Sequence, residues 1–173
     1  MFVGDQRGRV YCLNVRNGIV KKRFKKPRDG YYDREKCDIS SLCYWGETPG
    51  EDAPPKNLLI TASWDKSMCL YDDNDVDDRE GTLRDKQDQK HKDSINFVDF
   101  RVENELIATC DDDGMINLYN YHSRRYDGYL APVDHDRPEV KICKFLKGHD
   151  VLVSADLDGF LNFYAIFPSS LKG

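Results

Sequence analysis

The sequence is poor in the features that usually announce a membrane or a reaction centre. Among its 173 residues no apolar run approaches the ~18 needed to span a bilayer as a helix, and Met1 leads into FVGDQRGRV, which does not read as a secretory leader. Six cysteines (Cys12, Cys37, Cys43, Cys69, Cys110 and Cys143) contain no C-x-x-C pair. That argues against a zinc site. In a chain read as cytoplasmic they are reduced thiols, most of them filling apolar strand patterns. The four histidines, His91, His122, His135 and His149, are accompanied by no G-x-S-x-G elbow, phosphate-cradling glycine loop or H-E-x-x-H pair. No segment sustains a 3.6-residue period, so a helical fold is excluded. The formal net charge of −5 gives no global attraction for nucleic acid. One domain of ordinary size, or a piece of a larger one, is expected, with no cofactor and no catalytic role.

What the chain does contain is repetition. VGDQRGRVYCL, TASWDKSMCLY, ATCDDDGMINLY and VSADLDGFLNFY each join a strand-like run to a second through a polar turn. Six residues before the closing Leu13, Tyr71, Tyr119 and Tyr164 stand Arg7, Asp65, Asp113 and Asp158. The closing residues are 58, 48 and 45 positions apart. Hairpins recurring at ~40–45 residues indicate a propeller array of blades rather than a sandwich. Asp65 and Asp158 are read as turn residues of their hairpins.

The remaining strands of each unit are legible by alternation. HKDSINFVDF carries Ile95, Phe97 or Val98, and Phe100 between polar residues. Its counterparts are DISSLCYW, with Ile39, Leu42 and Tyr44, and EVKICKFL, with Val140, Ile142 and Phe145. Polar outer strands such as IVKKRFKK and GTLRDKQ follow the hairpins, as expected where a strand borders solvent. The fold class is therefore all-β, with fourteen strands in units at 1–26, 37–89, 91–132 and 138–168. The first unit lacks its innermost strand and the last its outermost.

These hairpins resemble the repeats of the WD40 family over nearly the whole chain, with the terminal Trp of each repeat replaced by Leu13, Tyr71, Tyr119 or Tyr164. The resemblance implies a buried hydrogen-bond tetrad, and one unit supplies candidates for all four members: His91, Thr109, Asp113 and Tyr119. Thr61 with Asp65, and Ser154 with Asp158, keep two members each, and the first hairpin has Val3 and Arg7 instead. LLITASWDKSMCLYDD and LVSADLDGFLNFY look most like divergent WD-repeat proteins of cilia and flagella. The implied architecture is a partial propeller of about three and a half blades forming an open arc.

Several stretches imitate other chemistry. DDDG and DLDG, at 111–114 and 156–159, resemble the start of a calcium loop but run straight into strands, so a hairpin turn with a positive-φ glycine is expected. KGHD, at 147–150, reads as a plain turn. Charge is distributed unevenly: Lys21, Lys22, Arg23, Lys25, Lys26 and Arg28 crowd the outer strand of the first unit. Asp72, Asp73, Asp75, Asp77, Asp78 and Glu80 follow the second hairpin, and Glu47, Glu51 and Asp52 precede it. Both groups are candidate partner-binding surfaces. The function expected is a non-catalytic protein-interaction scaffold in a larger cytoplasmic assembly, ciliary or microtubule-associated, completed by a further chain or chain segment. The alternative is a calcium-responsive module using loop 72–80. Neither a membrane nor nucleic acid is an expected partner, since aromatics are not interleaved with the cations beyond Phe24.

Overall fold

The computed structural model describes residues 1–25, 37–46, 57–73, 80–87, 90–131 and 137–167, with the side chains of 25 and 80–87 outside that description. Among the described residues the chain is all-β, with fourteen strands and no helix. It divides into two compact units, Met1–Gln89 and Lys90–Gly173.

The first unit holds β1 (Phe2–Gly4), β2 (Arg9–Leu13) and β3 (Val20–Lys25), then β4 (Ile39–Gly46), β5 (Asn57–Ser63), β6 (Met68–Asp72) and β7 (Glu80–Gln87). Both groups are antiparallel meanders. Their outer strands meet: β3 runs parallel to β7, with Arg23 opposite Glu80 and Phe24 opposite Gly81, giving the order β1-β2-β3-β7-β6-β5-β4. The expectation that each outer strand borders solvent along one edge therefore fails over these two pairs. Val10, Phe24, Leu59, Cys69 and Tyr71 form the core between the two meanders. Phe24 sets its ring edge against Tyr71, centroids 5.5 Å apart. Gly4 is needed at this junction, because a Cβ there would lie 2.5 Å from Cβ of Ile39.

The second unit holds β8 (Ile95–Arg101), β9 (Leu106–Asp111), β10 (Ile116–Asn120) and β11 (Arg125–Leu130), followed by β12 (Val140–Phe145), β13 (Val151–Asp156) and β14 (Leu161–Ala165). The sheet orders are β11-β10-β9-β8 and β12-β13-β14. Leu106, Ala108, Cys110, Ile116 and Leu118 of the first sheet pack on Val140, Cys143, Phe145 and Leu152 of the second. Each fully buried aliphatic side chain there contributes about 1.5–3 kcal/mol.

One irregularity recurs. The strands β4, β8 and β12 each carry a bulge at the same place, between Ile39 and Ser41, between Ile95 and Phe97, and between Val140 and Ile142. A bulge inserts one residue and reverses the alternation beyond it. This is why Ile142, expected to point inward with Val140 and Phe145, is 46% exposed while Cys143 is buried.

Candidate functional site

All four hairpins turn in the same way. The residue at the head of the turn, Asp5, Ser63, Asp111 or Asp156, gives its N–H to the carbonyl four residues on, and its carbonyl accepts from the N–H three residues on. The fourth position has positive φ: Gly8 at 72°, Lys66 at 70°, Gly114 at 74° and Gly159 at 87°. This is a three-residue hairpin loop closed by a residue in the left-handed region. Where the head is an aspartate, its carboxylate accepts the N–H of Arg9, Met115 or Phe160 and so locks the turn. DDDG and DLDG are therefore hairpin turns, and KGHD is the turn between β12 and β13, with Gly148 at φ 78°.

The head residue, and not the residue two further on, is the acid that meets histidine. His91 lies in the loop before β8, and its Nδ1 donates to Asp111 Oδ2 over 2.7 Å. Its Nε2 faces Thr109 Oγ1, also at 2.7 Å. A carboxylate only accepts, which assigns the proton to Nδ1. Thr109 and Asp111 are two residues apart on β9 and so share a face. Asn117, opposite Thr109 on β10, holds the histidine loop through the carbonyl of Lys90. Asp111 is fully buried, and its hydrogen bonds offset the hydration it loses.

The tetrad with Asp113 is corrected accordingly. Asp113 has passed the strand end onto the turn, where its Oδ2 is buried with no hydrogen-bond partner among the described residues. Tyr119 is buried and meets the ring of Tyr126 edge-on at 5.4 Å. Asp65 caps its own turn by accepting from the N–H and hydroxyl of Ser67, and Asp158 is exposed on its turn. Ser154 is buried at the position of Thr109, with Asp156 accepting from Asn162 beside it.

The two charged groups proposed as docking surfaces are partly joined to each other. Lys22 is buried, and its Nζ donates to Asp73 Oδ1 over 2.6 Å, so neither is a free surface charge. The cause is alternation: Lys22 and Phe24 point inward from β3 and Arg23 points out, while Lys21 is exposed at an irregularity in the β2–β3 register. Asp72 is half-buried. Lys26, Arg28, Glu47, Glu51, Asp52, Asp75, Asp77, Asp78 and His135 lie outside the described residues, as do the side chains of Lys25 and Glu80.

Among the described residues two exposed sheet faces have opposite chemistry. On the outer face of β1–β3, Arg23 stands opposite Tyr11, and the Arg9 guanidinium lies over the Tyr11 ring at 5.7 Å. Arg9 also pairs with Asp5 at 2.7 Å. Partial burial pushes the Asp5 carboxyl up, but hydrogen bonds from the Arg9 and Arg7 backbone and the Arg9 guanidinium outweigh it and hold Asp5 below its usual range. On β12–β14 the exposed face carries Ile142, Leu161 and Phe163, the last two 65% and 67% exposed. Leu157, Phe160 and Phe167 are exposed beside it.

With this geometry in place the comparison with known families is specific. Residues 85–120 match the family model of the WD domain, G-beta repeat. The matched stretch runs from the end of β7 through β10 and contains the whole His91–Thr109–Asp111 network. Repeats of this family generally act as non-catalytic protein-interaction modules, and the all-β, antiparallel sheets of each unit are consistent with blades of a partial WD40 propeller. No curated protein matches the chain.

A signal for the buried acid was present in the sequence. An aspartate stands eight residues before the closing residue at Asp5, Asp111 and Asp156, with Ser63 in the remaining hairpin, a recurrence equal to that of the position six before, where Arg7 intervenes.

Proposed function

We propose that the chain is a non-catalytic interaction scaffold of a larger cytoplasmic assembly and that it contacts an acidic partner surface through the outer face of β1–β3. The supporting observation is the pattern along β3, which buries Lys22 and Phe24 and leaves Lys21 and Arg23 exposed on a sheet with Arg9 and Tyr11. Cations held on a sheet lose less side-chain and backbone freedom on docking than cations on a loop. They also steer encounter with a negative surface in a salt-dependent way. A microtubule wall is one acidic surface of the required extent, and a ciliary setting follows from that reading.

The test is co-sedimentation with polymerised tubulin over a range of salt concentrations, comparing the native chain with the double variant Lys21→Glu, Arg23→Glu. Lys22 is left intact because its role is internal. Binding that weakens at least tenfold, with a flatter salt dependence, supports the proposal. Unchanged binding, or no binding by the native chain at low salt, refutes it.

A further inference from the structure

We infer that Asn17–Gly18, at the exposed tip of the β2–β3 hairpin, is a self-modifying site where the Asn17 amide is lost as ammonia and the tip is unlatched. The inference involves no binding partner, so it stands or falls apart from the acidic-partner reading.

The chain has nine asparagines, and Asn17 alone is followed by glycine. The reaction is intramolecular. Solvent base takes the proton from the Gly18 backbone nitrogen, and that nitrogen attacks Cγ of Asn17 to close a five-membered ring. The Cγ–Nδ2 bond breaks and Nδ2 leaves, protonated, as ammonia. Water then opens the resulting succinimide. Cleavage at Cγ leaves aspartate, and cleavage at the main-chain carbonyl carbon leaves isoaspartate, whose backbone is one atom longer. The sum is amide plus water giving carboxylate plus ammonium, with nothing oxidised or reduced. Holding nucleophile and carbonyl on adjacent residues removes most of the entropic barrier to attack.

Three features of the tip favour that attack. Gly18 has φ 69°, and a Cβ built there would meet nothing within 4 Å, so base reaches the nitrogen and the backbone can turn freely. The Ile19 N–H donates to Asn17 Oδ1 over 3.1 Å. This bond folds the side chain back along Gly18 and polarises the Cγ carbonyl towards the nucleophile. Finally, residues 15–20 are exposed, and the tip is closed by Gly18 N–H to the Asn14 carbonyl at 2.8 Å and Asn14 N–H to the Ile19 carbonyl at 2.9 Å. The first of these must open to free the nitrogen, and an exposed tip opens at low cost.

The other asparagines lack this combination. Asn14, in the same tip, precedes β-branched Val15, which shields its nitrogen. Asn96, Asn117 and Asn162 lie within strands and precede Phe97, Leu118 and Phe163. Either product places a carboxylate next to Arg16, at the head of a strand that reads VKKRFK. Isoaspartate also displaces Gly18 by one backbone atom, so the bonds it makes with Asn14 and that Asn14 makes with Ile19 no longer fit together.

The experiment ages the whole chain in mildly alkaline and mildly acidic buffer. Asparagine loss is followed by peptide mass mapping, and isoaspartate is scored by enzymatic methylation. Asn17 should convert at least tenfold faster than any other asparagine, and faster in the alkaline arm, because the attacking nitrogen must lose its proton. Gly18→Ala, which has room at the exposed tip, should slow conversion at least tenfold. Amide hydrogen exchange then reads the latch. The Asn14 amide should exchange at least tenfold faster in the isoaspartyl chain than in the native chain or in freshly prepared Asn17→Asp, which carries the charge on a normal backbone. Conversion at Asn17 no faster than elsewhere, or indifferent to pH or to Gly18→Ala, overturns the site. Equal Asn14 exchange in all three chains overturns the unlatching.

Discussion

The two units are built on one hairpin plan and differ in what they hide and what they display. The first hides an ion pair, Lys22 with Asp73, and displays cations on β1–β3. The second hides the His91–Asp111–Thr109 network and displays Leu161 and Phe163 on β12–β14. Turn geometry, the bulge near the start of β4, β8 and β12, and the antiparallel ladders are common to both. The backbone plan therefore constrains the faces very little. A turn locked by its own head residue needs no histidine, which is why the first unit keeps the hairpins of Asp5 and Ser63 without such a network. Its two meanders are held instead by the β3–β7 pairing and by the close approach of Gly4 to Ile39.

The sharpest way to break this comparison is to remove, one at a time, the head aspartate of the second unit's network and the aspartate two residues on. Asp111→Ala orphans buried His91 and the Met115 N–H and should cost roughly 3–4 kcal/mol by equilibrium denaturation. Asp113→Ala, two residues on, removes a carboxylate oxygen that has no partner among the described residues and should stay within about 0.5 kcal/mol. If the two variants exchange these effects, the assignment of the network is wrong.

Next in size is the hidden pair of the first unit. Lys22→Met should cost about 2–3 kcal/mol, less than the ~3–5 of a fully buried pair because Asp73 keeps some water. The double variant with Asp73→Leu should recover most of that loss, since apolar replacement of both partners removes the stranded charge. Additive losses in the double-mutant cycle would mean that the two side chains are not coupled.

Gly4→Ala tests the junction of the two meanders. Its Cβ would collide with Ile39, and the overpacking should cost about 2 kcal/mol. Pairing it with Ile39→Ala should relieve the loss. A stable single variant would show that the sheets part easily.

The smallest expected effect is electrostatic and lies in the second unit. Asp112 accepts from Lys141 at 2.8 Å and from Asn96 at 2.7 Å. Partial burial pushes its carboxyl up, but these bonds hold it below the ordinary carboxylate value. Its contribution is therefore present above that value and is lost as pH falls through the lower folded value. Burial works against the charge of Lys141 too, but the hydrogen bonds it donates to Asp112 and Glu139 raise it above 10.5. That contribution holds below 10.5 and fades as pH rises past it. Removing Asp112 by Asp112→Asn should flatten the acid limb of a stability–pH profile without moving the midpoint at neutral pH by more than about 1 kcal/mol.

How far these features were legible in the sequence depended on how local they were. Hairpins could be read because their turn residues, strand alternation and spacing all lie within about a dozen positions. His91 and Thr109 were found through the resemblance to the WD40 repeat. The acid was misplaced because Asp111, Asp112 and Asp113 are consecutive, and spacing alone does not say where the strand ends and the turn begins. Lys22 was assigned to the surface although its alternation with Phe24 points it inward; the run of like charge masked the pleat. The outward turn of Ile142 depends on a bulge. The β3–β7 pairing depends on two outer strands meeting across ~55 residues of chain. Neither leaves a mark in any short window of sequence.

That binding runs through the cations displayed on β1–β3 and not through the apolar face of β12–β14 is the central claim, and one measurement addresses it directly. The salt dependence of binding to polymerised tubulin is recorded for the native chain, for the double variant Lys21→Glu, Arg23→Glu, and for Phe163→Glu. The account predicts that the first variant abolishes the salt-dependent binding while Phe163→Glu retains it with the native slope. Equal loss in both variants would contradict it, and so would full retention in the charge-reversed chain.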